Sequence, residues 1–271
     1  MKAKKDKICF IGGGNMGEAI IRGLISQKLT APQNIYLYEI DKSKHEKFVK
    51  MGINVASTAK DGISPCDFVL LALKPALIRG FLEENKEYFS DKVVLSIAAS
   101  VPISLICEVL GEKTPTIRIM PNTPMLVGKG AAAISSNEYV SKKDFEYICR
   151  MLSGMSVLSV LDEDSMNKVI SVNGSSPAYV YAFIRAMLKG AEEQGIGEKQ
   201  ALPLILRTIE GAVKMVEKSD VSIDTLIDRV CSPGGTTLAA MSVLSEKGFE
   251  EAVAEAMTAC TQRADEISDG L

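Results

Sequence analysis

Residues 8–17 read Ile-Cys-Phe-Ile-Gly-Gly-Gly-Asn-Met-Gly, and the order of residue types in this stretch decides the fold. Four apolar residues in a row suit a short strand buried on both faces. The pattern Gly12-x-Gly14-x-x-Gly17 follows at once and opens the amphipathic run Met16–Ser26. Glycines so placed serve three ends: Gly12 a tight turn, Gly14 a close approach of backbone to pyrophosphate, and Gly17 close packing of helix on strand. With Asn15 and Met16 between them they read as the phosphate entry of a dinucleotide-binding sheet.

Outward from this turn the first half of the chain alternates strand and helix. Ile8–Ile11, Ile35–Tyr38, Phe68–Leu73, Val93–Ile97 and Ile117–Met120 are short apolar runs, and Met16–Ser26, Lys42–Met51 and Ile103–Leu110 are amphipathic stretches among them. Repeats of this kind predict right-handed crossovers and an α/β, Rossmann-type, doubly wound parallel sheet. The second half changes character. Asp162–Val172, Pro177–Gln194, Glu198–Glu217, Ile223–Val230, Thr236–Ser245 and Phe249–Ile267 have helical spacing, with Pro177, Gly195, Gly197, Gly234 and Gly235 as punctuation. The expected division is a dinucleotide-binding domain over 1–161 and an all-helical domain over 162–271.

Charge supports that division. Residues 1–161 hold 21 Lys and Arg against 16 Asp and Glu, a net of +5, whereas residues 162–271 hold 10 against 18, a net of −8. A mildly basic first half suits a polyanionic cofactor. Scattered lysines without interleaved aromatics exclude a nucleic-acid surface.

Four further segments carry chemistry. Glu39 lies about 20 residues past the glycines, at the end of the second strand, where a carboxylate accepts from ribose hydroxyls and repels a 2′-phosphate. With the uncharged Ile40 next to it, this favours NADH over NADPH, although Lys42 and Lys44 offset part of the effect. The loops Ala72-Leu73-Lys74-Pro75 and Met120-Pro121-Asn122-Thr123-Pro124 fall at the carboxyl ends of later strands, where an open parallel sheet binds ligands, and their prolines stiffen the backbone around a nicotinamide ribose and ring. Finally Ser232-Pro-Gly-Gly-Thr-Thr237 runs into a helical pattern, so free N–H and O–H groups converge where a small carboxylate can be held.

GGGNMG, LALKP, RIMPNTP, NGSSPAY and SPGGTT occur in the order and at the spacings of pyrroline-5-carboxylate reductases, and the resemblance spans essentially the whole chain. It implies reduction of the cyclic imine L-1-pyrroline-5-carboxylate to L-proline, the last step of proline biosynthesis, by hydride from NADPH or NADH. It also implies an intertwined homodimer, with larger assemblies such as a decamer of five dimers. By the same resemblance Thr237 hydrogen-bonds the ring nitrogen, while Ser175, Ser232, Gly234, Gly235 and Thr236 hold the substrate carboxylate. Ser176 stands where the family usually has glycine, Ile40 where an arginine is often found and Ala76 where glutamine is common.

Hydride delivery to an iminium carbon requires neither metal nor protein nucleophile. The single histidine, His45, sits in a charged stretch and is not expected to act as a base. Lys168 keeps open a β-hydroxyacid dehydrogenase, although Val172 stands where that family has asparagine, and another imine reductase is a separate alternative. A non-catalytic NAD(P)H sensor is a further alternative. Lys2, Lys4, Lys5 and Lys7 precede only four apolar residues before Gly12, too few for a secretory leader. Six cysteines without a CxxC pair read as reduced, mostly buried side chains of a cytoplasmic protein with no membrane or nucleic-acid partner.

Overall fold

The computed structural model describes residues 7–271, so Lys2, Lys4 and Lys5 lie outside the described residues. Eight strands form one sheet in the order β3-β2-β1-β4-β5-β6-β7-β8. They are β1 (Ile8–Ile11), β2 (Ile35–Tyr38), β3 (Asn54–Val55), β4 (Phe68–Leu71), β5 (Val93–Ser96), β6 (Thr116–Met120), β7 (Gly130–Ser136) and β8 (Ser156–Val160). The first six pair in parallel, β7 runs antiparallel to β6, and β8 is parallel to β7.

Strand periodicity sorts the core into two layers. Ile8, Phe10, Phe68, Leu70, Val93 and Leu95 face one side, where they pack with α1 (Asn15–Ser26), α2 (His45–Val49) and α6 (Lys142–Ser153) through Ile20, Leu24, Phe48 and Met151. Cys9, Ile11, Val69, Leu71 and Val94 face the other, against α3 (Ala59–Ile63), α4 (Pro75–Asn85) and α5 (Ile103–Leu110) through Ile63, Ile78, Leu82 and Ile106. Both faces are covered, which is why these strands read as unbroken apolar runs.

Three features differ from the sequence expectation. Strands β3, β7 and β8 have no counterpart in it, and the sheet is parallel over its first six strands only. Strand β7 is alanine-rich and follows a left-handed Gly128 (φ +67°), which hides it from a search for β-branched runs. The expected helix over Asp162–Val172 is instead a 3-10 turn, Glu163–Ser165, and a turn of π-helix, Ile170–Gly174, closed by Ser175 N–H donating to Ile170 O at 2.8 Å. Tertiary hydrogen bonds override the helical period: Arg118 on β6 donates to Glu163 Oε1 at 2.9 Å and to Asn167 Oδ1 at 2.5 Å. Of the cysteines, only Cys9 and Cys66 are buried and the other four are half-buried, all as free thiols. A hydrogen bond with Cys66, together with burial, pushes the Cys9 thiol well above its ordinary value and keeps it protonated.

The chain forms two compact units, one running through Pro177 and including Ala259–Leu271, the other Ala178–Thr258. The first unit therefore extends past residue 161. It takes in the Arg118–Glu163 pair, a bond from Asn167 Nδ2 to Asp265 Oδ1 at 2.8 Å and one from Arg79 Nε to Leu271 O at 3.0 Å. The second unit is helical. It comprises α7 (Ser176–Glu193) from Ala178, α8 (Glu198–Lys218), α9 (Ile223–Val230), α10 (Thr236–Glu246) and α11 (Phe249–Asp269) as far as Thr258. Among the described residues no helix is long and apolar enough to cross a membrane.

Arg118 is buried and Glu163 keeps about a third of its side chain in water. Replacing Arg118 by Met should therefore lower the free energy of unfolding by about 3 kcal/mol, the low end of what a broken buried pair costs. Urea denaturation of the two proteins checks it.

Candidate active site

The strand order reverses between β1 and β4, and this switch point is where an open sheet binds its ligand. Strand register puts Ile11 beside Leu71, and Ala72 N–H donates to Ile11 O at 2.9 Å. The glycine turn and the loop after β4 are thus pressed together. Gly12 has φ +101°, and a Cβ on it would lie 2.7 Å from Ala72 O; one on Gly17 would lie 2.6 Å from Gly12 O. Only glycine fits at either place.

The two intervening glycines differ in kind. A Cβ on Gly13 would meet the Phe48 ring at 2.7 Å, so packing alone accounts for it. A Cβ on Gly14 would meet nothing within 4 Å, and Gly14 has an ordinary φ of −70°. Nothing inside the protein calls for glycine at 14. The space beside it is a cradle that a side chain would fill, and no side chain caps the α1 N-terminus there. Room plus uncapped N–H groups at the start of a helix fit a pyrophosphate.

Gly12, Gly14, Glu39, Ala72, Leu73 and Lys74 line one cleft of about 850 Å³. Asn15, Met16, Gly17, Pro75 and Asn122 do not. Met16 packs on the core, Gly17 sits under the turn, and Pro75 is the first residue of α4. Asn122 is buried and its side chain is committed: Oδ1 accepts from Ala131 N–H at 2.9 Å and Nδ2 donates to Asn173 O at 3.1 Å. The cleft also takes in Lys44, Ser57, Thr58 and Lys60, which the sequence reading did not single out as site residues. The last three follow β3, whose two residues were too short to announce a loop at a strand end.

Glu39 is not a solvated strand cap. It is 8% exposed, its Oε2 accepts from Gly13 N–H at 2.7 Å and its Oε1 accepts from Asp41 N–H at 2.9 Å. Lys44 Nζ stands 3.8 Å away, and the ring of His45 is hydrogen-bonded to Glu39 O at 2.7 Å. Bonds from Ser43 hold the neighbouring Asp41 carboxyl below its ordinary value. Ile40, by contrast, is 79% exposed at the cleft mouth.

In the helical unit, Ser232–Gly235 is a tight turn closed by Gly235 N–H donating to Ser232 O at 2.9 Å. Pro233 occupies its second position and Gly234, with φ +69°, its third, the residue types that a type II turn demands. A Cβ on Gly235 would fall 2.4 Å from Ser232 Oγ. Gly235 then caps α10 without a side-chain hydrogen bond, leaving the N-terminus of an 11-residue helix open next to the exposed Thr236 and half-buried Thr237. Ser175, in the first unit, accepts from Cys260 Sγ at 3.3 Å, and Lys168 is exposed.

A switch-point cleft fed by such a turn defines a dinucleotide-binding protein of the Rossmann class. Residues 7–100 match a family described as NADP oxidoreductase, coenzyme F420-dependent, and residues 163–267 match one described as pyrroline-5-carboxylate reductase dimerisation. The chain is 38% identical over 267 residues to the pyrroline-5-carboxylate reductase of Escherichia coli K12, covering 97% of this chain and 98% of that protein. Among solved structures, a pyrroline carboxylate reductase of Plasmodium falciparum with NADP bound superposes with a TM-score of 0.92 at 28% identity, covering 98% of this chain and 100% of that one. A pyrroline-5-carboxylate reductase of Coxiella burnetii does so with a TM-score of 0.89 at 33% identity, covering 98% and 99%. The chain belongs to the pyrroline-5-carboxylate reductase family.

The glycines separate in a melting experiment. Gly12→Ala should cost about 1–3 kcal/mol of stability, the range for a residue forced into a disfavoured backbone region. Gly14→Ala should stay within about 0.5 kcal/mol of the parent, as a substitution into open space does. Equal losses at the two positions would contradict the assignment.

Proposed function

We propose that this chain reduces L-1-pyrroline-5-carboxylate to L-proline, with NAD(P)H as hydride donor, as the last step of proline synthesis in the cytoplasm. The observation that carries the reading is the pairing, in one chain of this family, of the Gly14 cradle with the open N-terminus of α10 behind the Ser232–Gly235 turn. The first suits a pyrophosphate and the second a small carboxylate. Bound reduced nicotinamide supplies the hydride. Gly12, Gly14 and Gly17 shape the seat for its pyrophosphate, Asn15 and Met16 open the helix that faces it, Ala72, Leu73 and Lys74 wall the cleft, and Pro75 starts the helix behind that wall. Asn122 contributes by holding its loop.

The substrate carboxylate is received by Ser232, Gly234, Gly235 and Thr236, with Ser175 as a further donor. Thr237 hydrogen-bonds the ring nitrogen, which carries a proton when the neighbouring carbon accepts hydride. Catalysis then consists of alignment and of stabilising one polar atom in the transition state. The working form is a homodimer. Support comes from the dimerisation family matched over 163–267 and from exposed apolar side chains in the helical unit, among them Leu204, Val213, Met215 and Val230. A decamer of five dimers is the larger assembly of this reading, residues 162–271 are its functional second domain, and no nucleic acid or membrane takes part.

A steady-state assay with pyrroline-5-carboxylate and each reduced nicotinamide tests the reading. Turnover yielding L-proline is expected, and none with either coenzyme overturns it. NADH should be the better donor, because Glu39 opposes a 2′-phosphate and Ile40 offers it nothing. Ile40→Arg alone should shift the ratio of kcat/KM values toward NADPH by about tenfold, the effect of one charge contact worth about 1.4 kcal/mol. Glu39→Ser should weaken both coenzymes, since Gly13 loses its acceptor. A wild-type enzyme that strongly prefers NADPH would contradict this assignment.

The loop before α10 divides chemistry from anchoring. Thr237→Ala should lower kcat by roughly 10- to 1,000-fold with NADH affinity unchanged, the loss attached to one positioned polar group. Thr236→Ala should act mainly on KM, because a carboxylate is present equally in ground and transition states. Near-normal turnover in Thr237→Ala together with an inactive Lys168→Ala would favour the hydroxyacid-dehydrogenase alternative.

A further inference from the structure

The loop after β6 and the π-turn before α7 are joined by two asparagines. Asn173, 8% exposed, donates both protons of its amide nitrogen, to Met120 O at 2.7 Å and to Ala131 O at 3.0 Å. Its main-chain carbonyl accepts from Asn122 Nδ2, while Asn122 Oδ1 takes Ala131 N–H. Three segments far apart in sequence, the end of β6, the start of β7 and the π-turn, thus converge on one pair of side chains. The next residue, Gly174, lies so close that a Cβ would stand 2.6 Å from Met120 Cε. Ser175 follows, with its N–H bound to Ile170 O and its hydroxyl against Cys260.

The amide of Asn173 is only half used. Its Oδ1 is buried and meets no donor. A buried acceptor without a partner costs stability, and an apolar side chain of similar size would have avoided that cost. What an apolar side chain lacks is the forked donor that reaches two carbonyls at once. The π-turn has the same character, since one extra residue per turn is poor helix geometry that recurs at functional sites.

We infer that Asn173 is a positioning residue of the reductase site: it fixes Ser175 for the imino-acid carboxylate by pinning the π-turn to the loop after β6. The inference rests on the function proposed above and adds to it a residue that touches neither reactant. It predicts that Asn173 matters through Ser175, so its effect should vanish where Ser175 is already disabled.

The experiment uses the full-length protein and four forms: wild type, Asn173→Leu, Ser175→Ala and the double variant. Asn173→Leu keeps the bulk and removes the donors. It should raise KM for pyrroline-5-carboxylate about tenfold in the wild-type background and less than twofold in the Ser175→Ala background, with the NAD(P)H dissociation constant changed less than twofold in both. Asn122→Leu, which breaks the same clamp from the other side, should reproduce the KM effect if Asn173→Leu folds poorly. Equal KM effects in the two backgrounds would overturn the inference, as would a lower melting temperature with unchanged KM. The wild-type measurement stands apart: no turnover of pyrroline-5-carboxylate by wild type sinks the functional reading, and this inference with it.

Discussion

The carbonyl oxygen of Ala72 stands where any side chain on Gly12 would have to go, and Gly12's own carbonyl stands where one on Gly17 would have to go. This pair of close approaches sets the distance between the turn after β1 and the loop after β4. The sheet reverses its order between those same two strands, so the crowding also sets the floor of the cleft. With Gly13 against the Phe48 ring, glycine is needed three times for the protein's own sake. Only the remaining glycine, Gly14, is left for something that is not protein.

Much of this was legible in the sequence because it is local. The strands β1, β2, β4, β5 and β6 are short apolar runs that cannot stay exposed, and the glycine turn lies wholly within six residues. The type II turn at Ser232–Gly235 is likewise written in Pro233 and Gly234. What stayed hidden depends on partners distant in the chain. Glu39 reads as a ribose acceptor from its place at a strand end, yet the bond from Gly13 that draws it inward spans 26 residues. Asn122 reads as a cofactor contact, yet its partners are residues 131 and 173. The stretch after residue 162 has helical spacing, and Arg118, 45 residues earlier, pulls it into other turns. Strand β7 was missed for a different reason: alanine carries no strand signal of its own and pairs there because β6 offers an edge.

The two compact units divide the chemistry by kind. The first holds nearly all of the buried apolar core and a cleft whose geometry follows from strand order. Within the second only Ala201 and Ile205 are buried apolar residues, so its helices have little packing of their own and many exposed apolar side chains. Under the proposed dimer, association would cover those side chains and stabilise the folded helices, so folding and assembly would be linked for the helical unit in a way that they are not for the sheet.

The inward bonds of Glu39 bear on how such an enzyme can change over generations. One carboxylate braces the glycine turn through Gly13 and, under the proposed coenzyme preference, also opposes a 2′-phosphate, so on that reading a mutation at 39 alters two properties at once. Ile40, exposed and without a structural duty, alters one. Selection for a different coenzyme would accordingly find its accessible path at the exposed neighbour, and the brace at 39 would persist in descendants of either preference.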